Sequence, residues 1–427
     1  MKIDTLLEDL ASDDPTGVDA ALRQLADRPD SSVPALLRGA AAAQGRKAAL
    51  RPFLTALRHI GPAAFDEVMA AAQRGEIRGW LAHELLGAFD EHCADRYATL
   101  ASVEDYGKSG VGFRALLRLR TDSEAGVQAL VTGFSRGGPV PYEASRYARA
   151  LHEEFRPRLR ALRRDPAVPA RIRRGAMAAL VAGGGTDALD GRDRALLTRL
   201  IGVKITDETP RLPETTLSGW WMAVPGATYE GVFPALGLHD PRPVTTAGGL
   251  DASEGQEIEV TGPAGEEIVV GRVFVTPELD GWRLVFGSSD RLIGDDPWDG
   301  MIDAVERASS HCGHAQLFFL DDAGGSDVWF VAENGRVIRR FAADSEPEWE
   351  GDPLPWETLA TDGSGSGDDD VPSDAGTAGT VGAREACAHL SVDPGEVGPG
   401  TRVVGHGWLA ITAPDVGHGA FPGTIRL

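Results

Sequence analysis

The residues best suited to chemistry are few and scattered. His311-Cys312-x-His314 gathers three metal-ligating side chains, but it lacks the second ligand pair that a closed tetrahedral site needs. Glu346, Glu348, Glu350 and Asp352 crowd around Trp349. Clustered carboxylates can serve acid–base catalysis or hold a cation, although a charged run of this kind is more commonly a solvated loop. His406, between two glycines, and His418 are further acid–base groups. A nucleophile is missing, since no Gly-x-Ser-x-Gly elbow occurs. Gly183-Gly184-Gly185 follows a helical segment and not a strand, so it does not read as a phosphate loop. No catalytic residue, metal site or cofactor is expected.

Two other sets of residues could bind. Trp349 and Trp356 lie in the acidic, proline-rich stretch DSEPEWEGDPLPWE, which has little local pattern. They either anchor that stretch to a core or, with Glu348, Glu350 and Asp352, line a binding surface. Between Arg156 and Arg174 there are eight arginines and one acidic residue, Asp165. Arg163, Arg164, Arg171 and Arg174 are the candidates there for contact with an anionic partner. A solvated helical face is the plainer explanation.

The elements that would position these groups fall into two halves of unlike charge. Residues 1–200 carry 29 Lys+Arg against 26 Asp+Glu, a net of +3; residues 201–427 carry 13 against 38, a net of −25. The whole chain, at −22, is a poor general binder of nucleic acid or anionic membrane and better suited to a basic protein. No apolar run approaches the ~20 residues that span a bilayer. The N-terminus lacks the apolar core of a signal peptide. Three widely spaced cysteines, Cys93, Cys312 and Cys387, form neither a disulfide framework nor a CxxC site. A cytoplasmic location is the expectation.

Residues 1–205 read as short amphipathic helices punctuated by Gly, Pro and Asp, among them Pro34, Gly61-Pro62 and Asp165-Pro166. Such short helices bury one stripe each and must stack. From residue 215 to 360 the pattern changes to short Val/Ile/Phe/Trp-rich strands bounded by turn residues. Asn334-Gly335 is the strongest hairpin signal. Pro297 opens a helix that Gly313 can close. Helices are expected on one face of an antiparallel sheet, an α+β domain. Residues 361–382 read as a disordered acidic linker, and 383–427 as a segment packing back on the sheet.

Residues 157–183, with an Asp-Pro turn followed by Arg173 on an Ala-rich helix, resemble a HEAT repeat, and residues 61–90 look like a looser copy. The resemblance implies an α-solenoid, a protein-docking scaffold; HEAT-like glycosylases that act on alkylated DNA use a basic concave face. The run from GWRLVFG through EGDPLPWE to LSVDPGEVGPGTRVVGHGWLAIT resembles an uncharacterised domain common in actinomycete genomes, which implies a fold unit and no mechanism. Thirty-eight of the 42 basic residues are arginine, similar to a high-GC actinomycete proteome. The leading expectation is a non-enzymatic protein-interaction module: a scaffold, a regulator or a toxin-neutralising protein of the immunity type. The alternatives are a nucleic-acid-binding protein using the arginine face, and a hydrolase or transferase with a site in the C-terminal domain. Oligomeric state is left open.

Overall fold

The computed structural model describes the chain apart from residues 1–2, 11, 13, 44–46, 138–139, 211, 213–218, 255–256, 263–264, 288, 294–296, 322–324, 344–346, 361–381 and 424–427. Most of the expected linker, with Glu346, lies outside the described residues. The chain divides into two compact units, Met1–Gly184 and Gly185–Leu427.

The first unit is helical throughout: α1 (Ile3–Leu10), α2 (Pro15–Ala26), α3 (Pro29–Ala42), α4 (Lys47–Ile60), α5 (Pro62–Arg74), α6 (Gly79–Leu86), α7 (Ala94–Ala101), α8 (Tyr106–Leu119), α9 (Glu124–Ser135), α10 (Tyr142–Ala150), α11 (His152–Arg164) and α12 (Ala170–Gly184). Side-chain caps start several of them. Asp105 accepts from Lys108 N–H and Ser123 from Gly126 N–H, each satisfying an orphan donor of the first turn. Pro34, which reads as punctuation, sits inside α3, and Pro157 inside α11. Both helices begin about a turn earlier than the prolines imply. A proline that close to the start forfeits at most one intrahelical bond.

Stacking joins helices one, two and three apart in the chain: α7 packs on α8 and α9, α8 on α10, and α9, α10 and α11 on α12. Glycine lets the backbones approach. A Cβ on Gly175 would stand 2.4 Å from the carbonyl oxygen of Val131, so α12 lies on α9 at a spacing no larger residue allows. Leu116, Val127, Leu130, Tyr147 and Phe155 are fully buried between the layers.

The second unit opens with α13 (Gly191–Lys204), a helix that groups here and not with the helical array. Its sheet strands are β1 (Gly219–Pro225), β2 (His239–Val244), β5 (Arg272–Val275), β6 (Glu278–Leu279), β7 (Trp282–Gly287), β8 (His314–Asp321), β9 (Ser326–Glu333), β10 (Arg336–Ala343), β11 (Pro347–Glu350), β12 (Val403–Val404) and β13 (Gly407–Ile411). The order is β11-β10-β9-β8-β1-β7-β5-β13-β2, with β6 and β12 forming a side ladder on β7. Every pairing is antiparallel. A separate hairpin pairs β3 (Ile258–Thr261) with β4 (Glu267–Val270), and Gly271 separates β4 from β5. The helices are α14 (Val232–Ala235), α15 (Thr246–Ser253), α16 (Ser289–Leu292), α17 (Pro297–Cys312), α18 (Pro355–Ala360) and α19 (Ala383–Leu390).

Helices cover both faces, not one. Trp220, Met222 and Val224 of β1 join the core under α14 and α17. Trp221 and Ala223, one residue out of phase, join the core under α15 and α19. The cause is visible in the run WWMAV: a strand with no polar alternation is buried on both sides. The segment after residue 382 does more than pack on this sheet. It supplies β13 between β5 and β2, and α19, whose first N–H is capped by Asp327 of β9 at 2.6 Å.

Candidate functional site

Within the stretch DSEPEWEGDPLPWE, residues 347–357 are structured, contrary to their sequence pattern. Its strand β11 adds to β10 in the register Phe341↔Trp349 and Arg340↔Glu350. Trp349 lies 4.3 Å from the Phe341 ring and 5.9 Å from Trp329, and Trp356 lies 5.9 Å from Trp329 and stacks on His389 at 4.9 Å. Both tryptophans are partly buried against the core on the α19 side. The Arg339 guanidinium sits 4.6 Å over Trp349 and donates to both carboxylate oxygens of Glu357, at 3.1 and 2.5 Å. A third bond reaches the Gly351 carbonyl at 2.6 Å. With side chains 5% and 1% exposed, this is a fully desolvated ion pair, and it clamps residues 350–357 to the sheet. Between them, Trp349 and Trp356 serve as anchors of that segment.

The carboxylates point elsewhere. On the α17 side of the same sheet edge an open groove of about 620 Å³ is lined by Ile302 and Glu306 of α17, Arg336, Val337, Ile338 and Arg340 of β10, and Glu350, Gly351 and Asp352. Three local features shape it. The register of β10 shifts between Val337 and Arg339, and such an irregularity re-aims side chains. Val337 N–H donates to Glu306 Oε1 at 3.0 Å, tying helix to strand. Gly351, at φ 87°, turns the chain out of β11 where a Cβ would stand 2.1 Å from the Ile338 carbonyl, and so sets the place of Asp352. Arg340 pairs with Glu350 and lies 5.4 Å over the Trp298 ring. The groove thus combines Ile302 and Val337, packed on the α17-side core, and Ile338, packed on the α19-side core, with three carboxylates and two guanidiniums. Glu350 and Asp352 are brought together there, with the exposed Glu348 next to them; Trp349 and Trp356 are not.

The arginines of the first unit have a structural use. Arg118 donates to the Gly87 and Phe89 carbonyls, Arg136 to Ser102 and Val103, Arg158 to Asp122 at 2.5 Å and Arg171 to Ser135 at 3.0 Å. Each reaches back 29 to 36 residues to carbonyls at or just past the end of an earlier helix. The last carbonyls of a helix lack intrahelical donors, and a guanidinium supplies them. Arg156 pairs with Glu153. Arg163 and Arg164 occupy the last turn of α11, where the helix dipole favours cations. Arg174 is exposed.

The remaining acid–base candidates stand apart from one another. His311 is exposed at the end of α17. His314 opens β8, 3.6 Å from Glu333 and edge-on to Trp282, and burial holds its pKa down. His406 packs on Trp408 at 4.7 Å, and its carbonyl accepts from Arg283 at 3.0 Å; burial first, then the Arg283 charge, lowers its pKa. His418 meets the Asp240 carbonyl at 2.7 Å and is likewise lowered by burial. All three cysteines are buried and free, with burial pushing the thiols up to about 11 for Cys93 and Cys312 and about 12 for Cys387. Among the described residues no group of three or more His, Cys, Asp or Glu is placed to hold a metal, and no helix is long and apolar enough to cross a membrane. Comparison with known protein families, curated proteins and solved structures returns no match.

Proposed function

We propose that this chain is a non-catalytic protein-interaction module, a scaffold, regulator or toxin-neutralising protein of the immunity type, acting in the cytoplasm. Its first unit is a HEAT-like scaffold, and its acidic second unit holds a basic partner in the groove between α17, β10 and β11. The observation that carries this reading is the groove itself. It brings apolar Ile302, Val337 and Ile338 together with Glu306, Glu350, Asp352, Arg336 and Arg340, a mixture of apolar and charged side chains of the kind protein interfaces use.

The use of Arg158 and Arg171 as carbonyl struts favours this reading over nucleic-acid binding, which needs guanidiniums presented to phosphates. The dispersal of His311, His406 and His418 favours it over a hydrolase, whose base must stand within hydrogen-bond reach of its orienting group. The test uses the full-length protein and its Glu350→Arg/Asp352→Arg variant as baits in a native-like lysate. A basic protein retained by the first, released by salt and lost by the second supports the reading. Equal retention by both baits, or nucleic acid alone, defeats it.

A further inference from the structure

Helix α13 is held by little. Of its 14 residues only Asp193 and Leu197 are buried. Leu196, Leu200 and Val203 are 40%, 39% and 59% exposed. Their i, i+4, i+7 spacing places them in one stripe, and they are three of the seven large apolar side chains exposed among the described residues. Arg192, Arg199 and Lys204 are exposed around the stripe, while Arg194 is engaged by Asp187 at 3.5 Å. Beside Leu200 and Val203, a Cβ on Gly202 would meet nothing within 4 Å, which leaves room for a partner to come close. This is an apolar ridge with a basic border, in a unit (residues 185–427) that carries 16 Lys+Arg against 41 Asp+Glu, a net of −25.

The sheet order gives the ridge a position. α13 packs on β2, the strand at one end of the order; the groove lies at β11, the strand at the other. Nine strands at ~4.8 Å spacing put the two ends roughly 38 Å apart along the sheet, so α13 and the groove stand at opposite ends of the strand order. Direct strand-to-strand pairing is blocked at both ends. Pro241 and Pro243 interrupt β2, and Glu348 and Glu350 occupy β11; prolines and charges are the usual guards of an edge. Two copies packing α13 against α13 would gather the exposed Arg192, Arg199 and Lys204 of both into one interface, where like charges destabilise. What remains complementary is ridge to groove: Leu196, Leu200 and Val203 onto Ile302 and Val337, with the basic border against Glu306 and Asp352, Glu350 being shared with Arg340.

We propose that a second copy of this chain docks its α13 in the α17–β10–β11 groove, a head-to-tail contact that builds chains or rings. It rests on the reading of the groove as a binding site, and it adds that self-assembly competes there with a basic partner. Leu200 is exposed, so Leu200→Asp removes the ridge without opening a core; Glu350→Arg/Asp352→Arg removes two of the groove's carboxylates. The experiment is sedimentation velocity on the full-length protein from about 1 to 100 μM. The wild type is expected to grow in mass with concentration and to shrink in high salt, and each variant to stay at 45.2 kDa. Mixed, the two variants retain one intact ridge and one intact groove between them and should stop at a 1:1 dimer. A monomeric wild type, either variant still assembling, or a mixture that stays monomeric overturns the proposal. Capture of a basic partner by the Leu200→Asp protein separates this failure from a failure of the groove itself.

Discussion

Arginine does opposite work in the two units. In the helical array Arg136, Arg158 and Arg171 lie at the surface or half-buried and cap the carbonyls of earlier helices. In the sheet unit Arg272, Arg283 and Arg339 are 9%, 5% and 4% exposed. Arg272 donates to the Ala252 carbonyl at 2.9 Å under the Phe421 ring. Arg283 donates to the Thr276 and His406 carbonyls and lies 3.8 Å from the Tyr229 ring centre. A strut at the surface keeps part of its hydration and can be lost cheaply. A buried guanidinium has given its water up, so each partner it keeps matters more. The array is therefore expected to tolerate loss of single arginines, and the sheet unit to depend on its few.

The sharpest way to break that contrast is Glu357→Ala. It leaves Arg339 buried without its carboxylate and should cost the second unit about 3–5 kcal/mol, read as a shifted urea midpoint. Replacing both partners, Arg339→Met with Glu357→Leu, should recover most of the loss; no recovery would mean the charge pair itself stabilises. Next, Gly175→Val forces α12 off α9 and should cost the first unit about 1–3 kcal/mol. Arg136→Ala removes donors to two partly buried carbonyls and should cost about 1–2 kcal/mol. An Arg136 loss matching that of Glu357→Ala would erase the distinction drawn between the units.

Acid sharpens the comparison further. His314, His406 and His418 all belong to the second unit and are held neutral below their ordinary pKa of 6.5. The unfolded chain then binds protons that the folded chain refuses, so the second unit loses stability as pH falls below 6.5. The loss levels off below the folded pKa values and is at most about 1.4 kcal/mol per pH unit per histidine. His418→Gln should flatten that slope, visible in urea midpoints from pH 7 to 5. Smallest of all, no thiol should react with Ellman's reagent in the folded protein, because Cys93, Cys312 and Cys387 are buried with raised pKa values.

Much of the fold is legible from local chemistry. Asn334 and Gly335, at φ 49° and 87°, form the hairpin turn that their sequence announces, and Gly313, at φ 81°, ends α17 as expected. Features set by long-range placement are not legible. β2 reads HDPRPV because an edge strand carries the prolines that strand patterns exclude. β11 reads as a charged loop for the same reason. The short run WLAI gives no hint that β13 will be inserted between β5 and β2. Of the groove, only Glu350 and Asp352 stood out. Ile302, Val337 and Ile338 look like ordinary core positions until the register shift in β10 and the placing of α17 leave them lining an open face. The arginine struts were hidden likewise: their partners are carbonyls, which sequence does not distinguish.

The central claim is that recognition lies in the groove and not on the arginine face. A photo-crosslinking amino acid placed at Ile338, and separately at Arg171, in the full-length protein tests it most directly. The account predicts protein adducts from position 338, weakened by high salt, and none from position 171. Adducts from position 171 alone, above all to nucleic acid, would contradict it.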